Sequence, residues 1–108
     1  MIWRVRDRAA FAALSRARRL RRGPLTLRHV PDPQGRPPRV AYAIGRPMGG
    51  AVARNRARRR LRAAIEQLDV RLPAGAYLFG GDQGVLTMPF TELIAAVEGL
   101  VAELDEPG

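Results

Sequence analysis

The chain has 108 residues, 46% of them hydrophobic, so residues 1–108 have room for a single small domain with one modest core. Its formal net charge is +9 at pH 7, and all 19 basic residues are arginine, which favours a polyanionic partner. The absence of cysteine excludes a disulfide framework, one histidine disfavours a zinc site, and the short apolar runs favour a cytoplasmic protein with no membrane partner.

The first predicted element is a helix over about Arg8 to Arg18. Asp7 precedes it and is a residue type that caps helix N-termini by accepting hydrogen bonds from backbone N–H groups. Phe11 and Leu14 lie three residues apart, which predicts that both face inward.

Two strands are predicted next, with a short extended piece at Leu20–Arg22 before them. Apolar and polar residues alternate over Leu25–Val30, a pattern typical of a strand. A loop rich in proline follows at residues 31–38, and a second strand is predicted over Arg39–Arg46. Alanines alternate there with larger residues on the other face, which indicates close packing on the alanine side; the larger residues are Val40, Tyr42 and Ile44.

A basic helix is predicted over Ala51 to Leu68. Its apolar positions repeat at helical spacing and form one stripe of Ala53, Ala57, Leu61, Ala64, Ile65 and Leu68. Two rows of arginine flank this stripe, with Arg54, Arg58 and Arg62 on one side and Arg56 and Arg60 on the other. Like charges four residues apart repel, and cations near a helix N-terminus oppose the helix dipole. A bound polyanion would relieve both, and nucleic acid is the obvious one.

The C-terminal part is predicted to add a turn at residues 72–75, a strand over Ala76–Gly80 and a helix that begins near Pro89. The element order is then α-β-β-α-β-α, with an additional short strand near Leu20. This order predicts an α+β fold, a two-layer α-β sandwich with a small mixed sheet. The charge is uneven along it: residues 1–62 hold eighteen arginines and two acids, whereas residues 63–108 hold one arginine and eight acids. This asymmetry indicates a basic binding face and an acidic, solvating end.

The segment Arg39–Arg62, RVAYAIGRPMGGAVARNRARRRLR, resembles the protein subunit of bacterial ribonuclease P. That family carries the block R-V-G-F-x-V-S-K-K-x-G-x-A-V-x-R-N-R-x-K-R-x-x-R. The matching residues are Arg39, Val40, Gly49, Ala51, Val52, Arg54, Asn55, Arg56, Arg59 and Arg62, while Arg58 replaces a lysine. The family's Ser-Lys-Lys is Gly45-Arg46-Pro47 here, and a second aromatic often found on the first helix is Ser15.

The resemblance implies a protein that assists a large catalytic RNA in removing the 5′ leader from precursor tRNA. The RNA subunit would perform the phosphodiester hydrolysis with its bound magnesium ions, one protein would bind each RNA, and the protein would be inactive alone. In keeping with this, the sequence shows no nucleophile–base pair and no carboxylate cluster for a two-metal cut, so no catalytic residue is predicted. The family fold also implies a left-handed crossover between two parallel strands.

The resemblance assigns two groups of site residues. The RNA-binding residues would be Arg46, Arg54, Asn55, Arg56, Arg58, Arg59, Arg60 and Arg62. A cleft for the single-stranded leader would lie between the first helix and the sheet and involve Phe11, Tyr42 and Arg18. For Asn55, three interpretations remain open: it contacts RNA, holds a hydrated metal ion or caps the helix. Phe11 is as consistent with a core position as with base stacking.

The alternative hypothesis is a non-enzymatic basic RNA-binding module, similar to a ribosomal protein. It accounts equally well for the size and charge of the chain, but it does not explain the Gly-x-Ala-Val-x-Arg-Asn-Arg block.

Overall fold

A computed structural model describes residues 3–5, 8–68 and 71–104 of the protein. The helices and strands, in chain order, are β1 (Trp3–Arg4), α1 (Arg8–Arg16), β2 (Leu20–Arg22), β3 (Leu25–Pro31), β4 (Arg39–Ala43), a 3-10 turn (Arg46–Met48), α2 (Ala51–Glu66), β5 (Gly75–Gly81), α3 (Gly84–Thr87) and α4 (Phe90–Glu103). The predicted helices and strands are confirmed to within three residues at each end, and the last helix begins one residue after the predicted Pro89. β1 and α3 are additional elements, and the predicted cap at Asp7 lies outside the described residues.

The strands form one mixed sheet in the order β1-β4-β5-β3-β2. β4 is parallel to both β1 and β5, whereas β3 is antiparallel to β5 and β2. α2 connects the parallel neighbours β4 and β5, which is the crossover position that the resemblance implies. The structure therefore confirms the predicted α+β fold with a mixed sheet.

The main core lies between one face of this sheet and the helices α2 and α4. The sheet contributes Leu25, Leu27, Val40, Tyr77 and Phe79, Ile44 follows directly after β4, and the helices contribute Ala57, Leu61, Ala64, Ile65, Leu93, Val97, Leu100 and Val101. The predicted apolar stripe of α2 is thus the face that the helix buries. These two layers correspond to the predicted sandwich.

α1 covers part of the opposite face of the sheet. Its Leu14 is fully buried and packs with Val5, Ala41 and Ala76 in a second, smaller cluster. The small side chain of Ala41 permits this approach, as the alternation in β4 predicts. α1 has only nine residues, so a large part of this face stays open beside its C-terminal end.

β5 begins at a position that requires glycine. Gly75 has φ of +143°, and a Cβ there would lie 2.4 Å from the Val30 carbonyl oxygen and 2.5 Å from Nε2 of His29. The hydroxyl of Tyr77, two residues later, donates a hydrogen bond to the Pro73 carbonyl. These contacts fix the connection between α2 and β5, and so the position of α2 over the sheet.

Candidate nucleic-acid interface

The outward face of α2 carries a dense positive charge. Arg56, Arg58, Arg59 and Arg62 are exposed, and Arg46 is exposed in the turn that precedes the helix. Arg54 is half-buried. Val52, one of the residues that match the family block, lies among these cations with 81% of its surface exposed.

No carboxylate neutralises this face within the described part of the chain. The three ion pairs found there join Arg21 to Asp82, Arg22 to Glu103 and Arg36 to Asp32. The first turn of α2 has no acidic residue, and its N-cap, Gly50, has no side chain. Because the arginines of α2 form no ion pair in the described part of the chain, the surface of the helix attracts polyanions.

Asn55 lies in the second turn of α2, not at its start. Its Oδ1 accepts a hydrogen bond of 3.0 Å from the guanidinium of Arg58. Since Gly50 is the N-cap, the interpretation of Asn55 as a helix cap is wrong. Its geometry is that of a side chain that orients Arg58, while contact with RNA or a metal ion stays a prediction.

Arg60 differs from the other arginines of α2. Its guanidinium donates hydrogen bonds to the carbonyl oxygens of Leu86, at 3.1 Å, and Met88, so it joins α2 to α3 and to the residue that follows α3. Its Nε is buried without a hydrogen-bond partner in the structure. Arg60 was predicted to bind RNA, but the structure gives it this intramolecular role, which sequence reasoning missed.

A groove of about 600 Å³ runs between α1, the edge of β4 and α2. It brings together Phe11 and Tyr42 with the guanidinium-bearing residues Arg58 and Arg62. The remaining lining residues are Arg4, Val5, Val40, Ala41, Ile65 and Glu66. The structure therefore places the two predicted cleft aromatics and two arginines of α2 around one open space.

Phe11 points into this groove and not into the core. With 43% of its surface exposed, it contradicts the prediction that it faces inward with Leu14, which is fully buried. Tyr42 is half-buried on the other side of the groove. Burial raises the pKa of its hydroxyl, and the nearby Arg62 guanidinium partly offsets that rise, so the hydroxyl stays protonated and can donate a hydrogen bond.

Arg18, the third predicted cleft residue, lies elsewhere. It is exposed in the segment between α1 and β2, apart from the residues that line the Phe11 groove. The neighbouring Arg19 borders a second groove, of about 500 Å³, on the open face of the sheet. The structure therefore does not bring all three predicted cleft residues together.

The second groove has three arginines and Asp82 along its wall, and its floor is the open face of the sheet. Arg19, Arg21 and Arg28 line it, and Arg28 also donates hydrogen bonds to the carbonyl oxygens of Ser15 and Ala17 at the end of α1. Gly80 lies between Thr26 and Ala43 on this face, where a Cβ would come within 3.0 Å of the Ala43 carbonyl oxygen. This floor leaves the sheet surface accessible beside the three arginines.

The described residues offer no ready metal site. No three His, Asp or Glu side chains among them come together as a ligand set. The side chains of residues 3–5, 8–68 and 71–104 thus do not fit a magnesium ion held by protein carboxylates. In the same ranges, no helix is both long and apolar enough to cross a membrane.

The fold and the unneutralised α2 surface define a small polyanion-binding α+β protein. The sequence profile described as Ribonuclease P matches residues 2–105. The chain is 41% identical to the ribonuclease P protein component of Symbiobacterium thermophilum over 100 residues, which cover 91% of this chain and 87% of that protein. It is 40% identical to that of Synechococcus sp. over 108 residues, covering 94% of this chain and 81% of that protein.

Solved structures of ribonuclease P proteins have the same fold as this chain. The ribonuclease P protein from Thermotoga maritima superposes with a TM-score of 0.79 at 16% identity, covering 95% of this chain and 98% of that one. The Staphylococcus aureus protein gives a TM-score of 0.78 at 14% identity, covering 95% of each chain. The chain belongs to the ribonuclease P protein family.

Proposed function

We propose that this chain is the protein subunit of a ribonuclease P ribonucleoprotein and assists a catalytic RNA in removing the 5′ leader from precursor tRNA. The observation that carries the proposal is the α2 surface, whose arginines lack carboxylate partners and lie beside a groove with two aromatic side chains. The alternative of a ribosomal-protein-like module does not account for the match of residues 2–105 to the ribonuclease P family.

We assign binding of the RNA subunit and binding of the leader to two surfaces. The exposed arginines of α2, with Arg46, bind phosphates of the RNA subunit through charge-assisted hydrogen bonds. The Phe11 groove holds the unpaired leader, with a base against the phenyl ring and phosphates near Arg58 and Arg62. The second groove, with Arg19, Arg21 and Arg28, offers the leader a continuation over the open face of the sheet.

In this proposal the protein performs no bond-breaking step. The hydrolysis belongs to the RNA subunit and its magnesium ions, because the described residues supply no cluster of oxygen ligands. The contribution of the protein is to neutralise phosphates and to retain the leader, which favours precursor over mature tRNA. We expect one protein per RNA, acting in the cytoplasm.

The test is reconstitution with a cognate catalytic RNA and precursor tRNA. Purified protein alone should leave precursor tRNA intact, and its addition to the RNA should lower the magnesium concentration needed for cleavage. The control is Arg71→Ala, which removes an exposed arginine outside α2 and should behave as the unmodified protein does. Cleavage by RNA-free protein, with contaminating nuclease excluded, would overturn the proposal.

A further inference from the structure

Among the described residues that line the Phe11 groove, one carries a carboxylate. Glu66, the last residue of α2, is exposed and borders the same space as Phe11, Arg58 and Arg62. Its negative charge reaches Tyr42 as well, where it contributes to the raised pKa of the hydroxyl. The groove is therefore not uniformly cationic: it has an acceptor-only group at one point of its wall.

Glu66 does not stabilise the fold through an ion pair within the described part of the chain. The ion pairs in the described part of the chain involve Asp32, Asp82 and Glu103, and Glu66 forms none, although arginines line the same groove. A carboxylate at this point repels the phosphates of a bound strand. Its position therefore favours a ligand group that carries hydrogen-bond donors.

The edges of nucleobases supply such donors unequally. Cytosine and adenine present an exocyclic amino group, and guanine presents a ring N–H beside an amino group. A carboxylate can accept a hydrogen bond from each of these donors. Uracil has only one ring N–H, between two carbonyl oxygens that a carboxylate repels. A carboxylate beside a stacked base thus discriminates against uracil.

We propose that Glu66 reads the edge of the base that stacks in the Phe11 groove and disfavours uridine at that position of the strand. This inference rests on the proposed function, in which the groove holds the unpaired leader. The groove provides the two kinds of contact that a nucleotide needs: Phe11 on α1 lines it with an exposed aromatic ring for the base, and Arg58 and Arg62 line it with guanidinium groups for phosphate. Glu66 lies one helical turn beyond Arg62, where a base edge can meet it.

The experiment uses the reconstituted ribonucleoprotein and precursor tRNAs whose leaders consist of uridine, cytidine, adenosine or guanosine runs. With the unmodified protein, the uridine leader should bind at least about fivefold more weakly than the cytidine leader. Glu66→Gln keeps the shape and adds an amide donor that can pair with a uracil carbonyl. It should bring the two affinities within about twofold, mainly by strengthening the binding of the uridine leader.

The matched control is Glu98→Gln, which removes one negative charge from α4, outside the groove, and should leave the preference unchanged. Thermal melts of both variants verify folding. A preference that persists in Glu66→Gln, or an unmodified protein that binds all four leaders alike, overturns the role of Glu66. If the unmodified complex binds precursor and mature tRNA equally, the leader proposal fails as well, so the two failures are distinguishable.

Discussion

Phe11 and Leu14 show how two residues on one short helix take separate roles. Leu14 packs on the sheet and is fully buried, whereas Phe11 lies toward α2 and keeps 43% of its surface exposed. An exposed ring contributes little to folding, because little of its apolar surface is removed from water. The ring is therefore available for a ligand.

We predict that Phe11→Ala leaves the melting temperature almost unchanged and weakens binding of precursor tRNA by about 1–3 kcal/mol, the value of one base stacked on an aromatic ring. Leu14→Ala is the buried counterpart and should cost about 2–5 kcal/mol of stability. The measurements are thermal melts and affinities for precursor and mature tRNA. A destabilised Phe11→Ala protein with normal discrimination would assign the ring to the core after all.

His29 is the residue whose titration should change stability near neutral pH. Its Nε2 lies 3.4 Å from the Ala74 carbonyl oxygen, and its ring centroid lies 4.4 Å from that of Tyr77. Burial lowers the pKa of His29 below its ordinary value of about 6.5, and the hydrogen bond to Ala74 only partly opposes this shift. The folded protein therefore binds a proton less readily than the unfolded chain.

It follows that stability is highest above pH 6.5 and falls as the pH drops from there toward the lowered pKa of folded His29. The measurement is the free energy of unfolding in urea at about pH 7.5 and about pH 5.0, for the unmodified protein and for His29→Gln. Asp32 does not confound this window, because its hydrogen bond from Arg36 keeps its pKa below the usual 3.8. An equal loss in both proteins would show that other groups cause the pH dependence.

At the scale of elements, α2 carries two kinds of arginine that the sequence pattern does not separate. Arg58 and Arg62 face the groove, whereas Arg60 donates to the carbonyl oxygens of Leu86 and Met88. All three flank the same apolar stripe, so their spacing alone predicts the same role. Only the packing of α3 against α2 distinguishes them.

For the groove-facing pair, we predict that Arg58→Ala and Arg62→Ala each flatten the dependence of log affinity on log salt by roughly 0.7–0.9 for each phosphate that the side chain no longer binds. Stability should hold or rise slightly, because repulsion between arginines four residues apart is relieved. Titrations of the RNA subunit and of precursor tRNA over a range of salt concentrations measure the slope, with Arg71→Ala as the control of equal charge. Unfolding with an unchanged slope would identify these side chains as structural.

For Arg60 we predict a loss of stability and an unchanged salt dependence of RNA binding. Arg60→Ala leaves the carbonyl oxygens of Leu86 in α3 and of Met88 just after it without this donor, and should cost about 1–3 kcal/mol of stability. Its salt slope for RNA binding should match that of the unmodified protein. Denaturant unfolding and salt titration of the same sample decide the matter, and a reduced slope in a stable variant would return Arg60 to the RNA-binding set.

The elements that could be predicted from the sequence are those with a long periodic pattern. α2 ends within two residues of its predicted limit, since six apolar positions define its buried face. β1 has two residues and exists through its pairing with β4, and α3 has four, so neither leaves a local pattern. The inward prediction for Phe11 was wrong because the i, i+3 rule fixes a shared side of α1 but not where the sheet beneath it ends.

At the scale of the whole molecule, the acidic half of the chain neutralises only part of the basic half. Asp82 and Glu103 pair with Arg21 and Arg22 of β2, which ties the C-terminal part of the chain to the far edge of the sheet. In the described part of the chain no such pair reaches α2. Glu66 and Asp82 border the two grooves, but neither forms an ion pair with an arginine of α2, so the repulsion among those arginines remains for a polyanion to relieve.

We therefore predict that RNA stabilises the folded protein. A ligand that binds only the folded state adds about 2.7 kcal/mol at a concentration about one hundred times its dissociation constant, which should raise the melting temperature by several degrees. The probe is a short RNA hairpin at low salt, with an uncharged polymer of similar size as the control. The variant Arg56→Ala/Arg59→Ala, which removes two outward-facing charges of α2, should lose much of the rise, whereas Arg71→Ala should keep it. An equal rise in both variants would mean that RNA binds away from α2, and the assignment of this helix as the RNA-binding surface would then be wrong.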